Sequence, residues 1–311
     1  MPLHPEARAF LEKMANVPDP TDENLEQFRS GAATLIAGAE PADICDVQNR
    51  IIAGGDGQDM NLRIYKPRTT GPVPVIVWVH GGSFVRGTLD MFDAGRRDLA
   101  SSSGCVIVAV DQRLSPESQF PAPLEDAYAA LVWSAEHILD LGGCPGLLGV
   151  GGESSGGSLA AALPFLVHSR NGPRLAFQVL ANPLLDATLS SPSVRELATG
   201  YFLTRAQLDW CYEKYAPGDK RLSPLVSPVL HDDFSVTVPA VIITTEYDPV
   251  RDDGERFAVS LMGAGIPVYH ERILGHVHHF GGADRTPTML RLLEACLSDL
   301  RNPEAGRGTS S

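Results

Sequence analysis

Six short runs recur along this chain, most of them apolar almost throughout, with helical stretches between them. They are VPVIVWV (73–79), CVIVAV (105–110), LLGV (147–150), LAFQVLA (175–181), PAVIITTE (239–246) and PVYHERIL (267–274). A strand with one wet face alternates apolar and polar residues, whereas a strand covered on both faces reads as a continuous apolar run. Apolar residues at helical spacing fill the gaps, at about 92–102, 122–139, 155–169, 251–264 and 285–300. The alternation predicts an α/β fold with a mostly parallel central sheet and helices on both faces. The last run is the most polar and is expected at a sheet edge.

Upstream, Leu3–Ala15 and Asp22–Leu35 have helical spacing, and two hairpin-like runs, Val47–Ala53 and Met60–Tyr65, flank GGDGQD. The stretch between Ala181 and Pro239 breaks the rhythm, because a strand-to-strand crossover needs only about a dozen residues. It contains the amphipathic LTRAQLDWCYEKY (203–215) and the proline-rich SPLVSPVL, and reads as an inserted helical cap. The expected organisation is N-terminal cap helices at 1–45, a first core part at 46–185, a cap insertion at 186–222, a second core part at 223–302 and a flexible tail at 303–311.

Composition narrows the function classes. The formal charge is −13 with no basic run, which argues against nucleic acid as a partner. The cysteines at 45, 105, 144, 211 and 296 are odd in number and widely spaced. They are expected as free, mostly buried thiols rather than a disulfide framework or a metal site. No apolar stretch reaches roughly 18 residues and the N-terminus lacks a basic start before an apolar run. The expectation is a cytoplasmic protein with no membrane association.

GVGGESSGGSLA (149–160) holds three serines among five glycines. In G-x-S-x-G a nucleophilic serine sits on a sharp turn from strand to helix, and small residues two before and two after let the two elements come close. Ser154 fits, between Gly152 and Gly156. Ser155 has Glu153 two before it, and Ser158 lies a turn inside the helix with Ala160 two after it. The competing reading is a plain glycine-rich turn. A serine hydroxyl needs a base, an orienter for that base and donors for an oxyanion. HGGSF (80–84), after an apolar strand, can supply backbone donors. Asp248 ends a later strand, and GHVHHF (275–280) offers three histidines after the last one, in the chain order serine, acid, histidine.

Together HGGSF, DQRLSPESQFPAPLEDAYAAL (111–131), GGESSGG (151–157), EYDPVRDDG (246–254) and GHVHHF resemble the hormone-sensitive-lipase-like family of α/β-hydrolases, which includes many microbial carboxylesterases. The resemblance covers most of the chain from about residue 60. It implies an α/β-hydrolase fold, Ser154 as nucleophile, Asp248 as triad acid with Asp252 as the weaker candidate, and His278 as base. His276 and His279 are then neighbours of the base. The oxyanion donors would be the backbone N–H groups of Gly82, Ser83 and Ser155. His80 is expected as structural, Arg113 and Glu117 as forming internal polar contacts that hold their turn, and His168, His231 and His270 as ordinary polar residues. The chain differs from the family pattern at Ser83 (usually Gly), Gln112 (usually Tyr), Glu153 (usually Asp or Thr), Ser155 (usually Ala) and His279 (usually Gly). No physical role for Glu153 follows from the sequence.

The resemblance further implies hydrolysis of short- to medium-chain carboxylic esters through an acyl-enzyme, with no cofactor, no metal and a small-molecule substrate. A homodimer is an expectation from the family alone. Phe84, Tyr201, Phe202, Leu203 and Trp210 are candidates for a substrate-pocket wall and equally for plain packing. Two other functions stay open: an amidase or formamidase on the same residues, and a ligand-binding protein on this fold without catalysis.

Overall fold

The structure, a computed structural model, describes residues 2–36, 46–278 and 282–302. Cys45, His279, Phe280 and the tail at 303–311 lie outside the described residues, as does the end of the expected N-terminal helical segment.

The six runs form strands β3 (Val73–Val79), β4 (Val106–Val110), β5 (Gly143–Glu153), β6 (Phe177–Ala181), β7 (Ala240–Tyr247) and β8 (Val268–Val277). The hairpin upstream is β1 (Asp46–Ala53) and β2 (Asp59–Lys66). All eight make one sheet in the order β1-β2-β4-β3-β5-β6-β7-β8. From β3 through β8 neighbouring strands run parallel, and β2 is antiparallel to both β1 and β4. The polar run at 267–274 is an edge strand.

Period-two alternation divides the core between the two faces. On one face Val75, Val77 and Val79 pack with Leu124 and Leu131 of α4 (Ala122–Glu136) and with Leu159 and Leu163 of α5 (Ser155–Arg170). Phe257 and Leu261 of α8 (Arg251–Gly263) extend this layer against Phe165 and Ile242. On the other face Ile76 and Trp78 meet Leu99 of α3 (Asp93–Ser103) and Leu293 and Leu297 of α9 (Gly282–Arg301). This is an α/β-hydrolase architecture.

Strand β5 extends well beyond the apolar LLGV. Glycine weakens an isolated strand, but here the run Gly149–Gly152 is laddered to both β3 and β6, and pairing on both sides overrides the local preference.

The N-terminal helices are α1 (Pro5–Met14) and α2 (Leu25–Ile36). The insertion holds α6 (Pro192–Glu196), α7 (Arg205–Tyr215) and a 3₁₀ turn at Gly218–Leu222. Thr204 caps α7 by accepting from the Gln207 N–H at 3.0 Å. Asp22 accepts from Trp210 Nε1 at 3.0 Å and pairs with Lys214 at 2.5 Å, so the insertion is stitched to the N-terminal segment. Among the described residues no helix is long and apolar enough to cross a membrane.

Candidate active site

Ser154 stands between β5 and α5 with φ 54° and ψ −123°. A side chain in that region of backbone space costs about 1–3 kcal/mol and persists only where its surroundings impose it. Crowding imposes it here. A Cβ at Gly156 would lie 2.1 Å from the Val79 carbonyl oxygen, and one at Gly152 would lie 2.4 Å from the Gly156 oxygen. Strand and helix therefore close tightly around the serine, as the spacing of small residues predicts. Ser155 opens α5, where backbone N–H groups have no partner within the helix and the dipole favours negative charge. Ser158 is buried inside the helix, and its N–H donates to the Ser154 carbonyl at 3.2 Å.

The structure brings Ser154, His278 and Asp248 into line. Ser154 Oγ lies 2.9 Å from His278 Nε2, and His278 Nδ1 lies 2.7 Å from Asp248 Oδ2. They follow β5, β8 and β7, so all three cluster at the C-terminal ends of parallel strands, where open α/β sheets place their sites. Asp248 is fully buried and saturated with donors: Asn182 Nδ2 at 2.8 Å and the Val250 N–H at 3.0 Å, besides the imidazole. Asn182, just after β6, also donates to Thr245 Oγ1 at 2.8 Å. The sequence reading had not singled out Asn182; its left-handed backbone, φ 47°, lacks a local motif to announce it. Asp252 lies elsewhere, accepting from the Ser193 N–H at 2.8 Å at the start of α6. His276 stacks on His4 with ring centroids 4.5 Å apart, so of these two histidines only His278 reaches the serine.

The loop after β3 lies against the elbow: a Cβ on Gly81 would come within 3.2 Å of Ser154 Cβ. Gly82, Ser83 and Phe84 have φ of 126°, 60° and 63°, a left-handed run that turns the amides away from the ladder. Among the described residues the N–H groups of Gly82 and Ser83 donate to no protein acceptor. Ser83 carries its Cβ into this conformation, whereas at Gly82 a Cβ would collide with the Arg86 carbonyl at 2.1 Å. His80 donates from Nδ1 to the Gly81 carbonyl at 2.7 Å and stacks on Phe92. Burial pushes its pKa down, which favours the neutral ring.

Glu153 acquires a physical role. Its buried carboxylate accepts from the Gly81 N–H at 3.1 Å, from Trp78 Nε1 at 2.5 Å and from Arg96 of α3 at 2.5 Å. One side chain thus ties the residue before the serine to the first peptide of the loop. Arg96 is itself buried and sits over the Trp78 ring. It was missed because nothing near it in sequence marks it; its partner is a strand away.

In the 111–131 block, Arg113 forms a two-pronged pair with the fully buried Asp126, Nε–Oδ2 and Nη2–Oδ1 both at 2.9 Å. Gln112 donates to the His80 carbonyl at 3.1 Å, fixing the loop from below. Glu117 pairs not within its own turn but with Arg29 of α2, at 2.7 and 2.8 Å. Of the five candidates for a pocket wall, Phe84 stacks flat on Tyr215 at 4.0 Å, and Leu203 lies in the same core cluster. Tyr201 stacks on Tyr247, and Trp210 meets Phe28 edge-on. Phe202 lines a cavity with Phe28 and Arg86.

A serine whose hydroxyl meets an imidazole backed by a buried carboxylate, beside unpaired amides, is equipped for acyl transfer. Comparison with known proteins agrees in class. The model of a family described by its alpha/beta hydrolase fold matches residues 76–281. The arylesterase of Saccharolobus solfataricus is 33% identical over 305 residues, which cover 96% of this chain and 99% of that protein. The ethyl acetate hydrolase of Pseudomonas putida is 36% identical over 269 residues, 83% of this chain and 82% of that protein. Among solved structures, a hyperthermophilic esterase from the archaeon Pyrobaculum calidifontis superposes with a TM-score of 0.86 at 34% identity, covering 96% of this chain and 99% of its own. With the site geometry and these relatives in hand, the chain belongs to the α/β-hydrolase family, as a carboxylesterase of its hormone-sensitive-lipase-like branch.

Proposed function

We propose that the protein is a serine carboxylesterase that cleaves short- to medium-chain carboxylic esters through an acyl-enzyme. The observation that carries this reading is the unbroken hydrogen-bonded line from Ser154 Oγ through the His278 ring to Asp248, at 2.9 and 2.7 Å.

In this mechanism His278 Nε2 takes the Ser154 proton as Oγ attacks the ester carbonyl. The tetrahedral oxyanion settles on the N–H groups of Gly82, Ser83 and Ser155, at the positive end of α5. His278 returns the proton to the leaving alcohol. Water, deprotonated by the same imidazole, then attacks the acyl-enzyme and releases the acid and the free serine. Asp248, held by Asn182 and the Val250 amide, keeps Nδ1–H of His278 pointed at itself and Nε2 at the serine. The N-terminal helices and the segment at 186–222 act as a cap over the site. Support for the cap comes from their mutual contacts through Asp22 and from the Arg29–Glu117 bridge to the core.

Ser154→Ala should abolish hydrolysis of p-nitrophenyl butyrate while leaving the melting temperature within a few degrees. Full activity in that variant contradicts the mechanism. Matched p-nitrophenyl butyrate and butyranilide assays decide between ester and amide; faster anilide turnover would favour an amidase.

A further inference from the structure

Arg86 follows the oxyanion loop directly. Its N–H donates to the Gly82 carbonyl at 3.1 Å, and the residue lines a cavity of about 320 Å³. The cavity lies between α1, α2 and the insertion; Met14, Gln27, Phe28 and Phe202 share the wall with Arg86.

The other half-buried or buried arginines named above each hold a carboxylate: Arg29 has Glu117, Arg96 has Glu153 and Arg113 has Asp126. Arg86 has none among the described residues. Its guanidinium lies over the Phe28 ring at 3.8 Å and donates weakly to the Phe28 carbonyl at 3.3 Å. Its Nε is buried with no hydrogen-bond partner. Burial pushes its pKa down to about 10, so it remains a cation at neutral pH. Asp19, at the exposed rim of the same cavity, is taken up by the Thr204 hydroxyl at 3.0 Å. Carrying an unpaired guanidinium in a desolvated wall is costly. That cost is offset when a ligand brings the missing anion, and a planar guanidinium matches a carboxylate in shape and charge.

We propose that the Arg86 cavity is a carboxylate subsite, and that the enzyme favours esters carrying a free carboxylate, such as half-esters of short dicarboxylic acids. This rests on the esterase reading above and names a substrate class for it; neither Ser154 nor His278 lines the cavity, and the link between the two is the Arg86 N–H bond to the Gly82 carbonyl. The ester carbonyl would lie on the Gly82 side of the loop while the distal carboxylate pairs with Arg86, four residues on.

The test compares monomethyl glutarate with methyl hexanoate, a neutral ester of similar length, by proton release at constant pH. The wild type should show a higher kcat/KM for the half-ester, and Arg86→Met should lower the ratio of the two values at least tenfold, chiefly through KM for the half-ester. Arg86→Lys should restore part of the ratio, because charge returns without the two-pronged geometry. A wild type that prefers methyl hexanoate, or a ratio unchanged in Arg86→Met, overturns the subsite and leaves Arg86 as a stacking partner that holds α2. Should Arg86→Met fail to fold, inhibition of wild-type hexanoate hydrolysis decides: glutarate should inhibit at least ten times more tightly than glutaramide, and equal inhibition overturns the proposal. Hydrolysis of neither methyl ester would instead count against the esterase reading itself.

Discussion

The two sides of the site are built from different materials. The elbow and the loop after β3 are made of backbone: glycines too crowded to carry a Cβ, a strained Ser154 and a left-handed run at Gly82–Phe84, all fixed to buried strands. The cap side is made of long side chains reaching across the chain, as in Arg29 to Glu117 and Lys214 to Asp22, with carboxylates that are mostly exposed. Exposed pairs of that kind contribute about 0–1 kcal/mol each. On the proposed function, the chemistry would sit on the part that tolerates little change, and recognition on the part held by many small contacts.

That contrast can be broken first at the base. His278→Ala should reduce kcat/KM by about 10⁴-fold or more, as loss of a triad member does elsewhere. His276→Ala, which removes a stack on His4, should stay within about tenfold of wild type; the reverse ranking in a p-nitrophenyl ester assay would move the base to His276.

Next in size is the clamp behind the loop. Glu153→Gln leaves the Arg96 charge buried without its counter-ion, which should cost about 3–5 kcal/mol of stability by chemical denaturation. It should also lower kcat more than it raises KM, since one amide oxygen then replaces the two carboxylate oxygens that hold Gly81, Trp78 and Arg96, and the loop is held less firmly. A variant with wild-type stability and kcat would show that the loop holds itself.

The smallest effect compares a buried carboxylate paired within the core, Asp126, with an exposed one paired to α2, Glu117. Asp126 is fully buried; burial raises its pKa, but bonds from Arg113 and from the Arg113 and Gly55 amides outweigh this and hold it below the ordinary value. Glu117 is also lowered, by Arg29, but is largely exposed. A carboxylate with a lowered folded-state pKa stabilises above its unfolded pKa, and that stability is lost as pH falls through the folded value. The loss of stability between pH 5 and pH 3 should therefore shrink in Asp126→Asn and remain nearly unchanged in Glu117→Gln. Equal changes would erase the distinction between a pair buried in the core and an exposed pair that reaches α2.

The same contrast explains what the sequence revealed. Strand β3 was legible to the residue because burial on both faces leaves an apolar run, and the tight turn at Ser154 because an elbow demands small residues at fixed spacing. Both are local constraints. Arg96, Asn182 and Arg86 were not legible, since each acts through a partner on another element, or for Arg86 through the lack of one, and carries no motif of its own. Glu153 was visible but mute until the register of β3 and β5 placed Gly81 and Trp78 beside it. For the cap, residue type alone separated neither Phe202 on a cavity wall nor Phe84 stacked on Tyr215 from the other role.

The central claim is that Ser154 is the nucleophile, and trapping it covalently tests this most directly. Treatment with a p-nitrophenyl alkylphosphonate should add one phosphonyl group per chain, with peptide mapping placing it on Ser154 and activity falling in step with labelling. Ser154→Ala should remain unlabelled. Stoichiometric labelling at Ser155, Ser158 or another residue, with Ser154 unmodified and activity lost, would contradict the account.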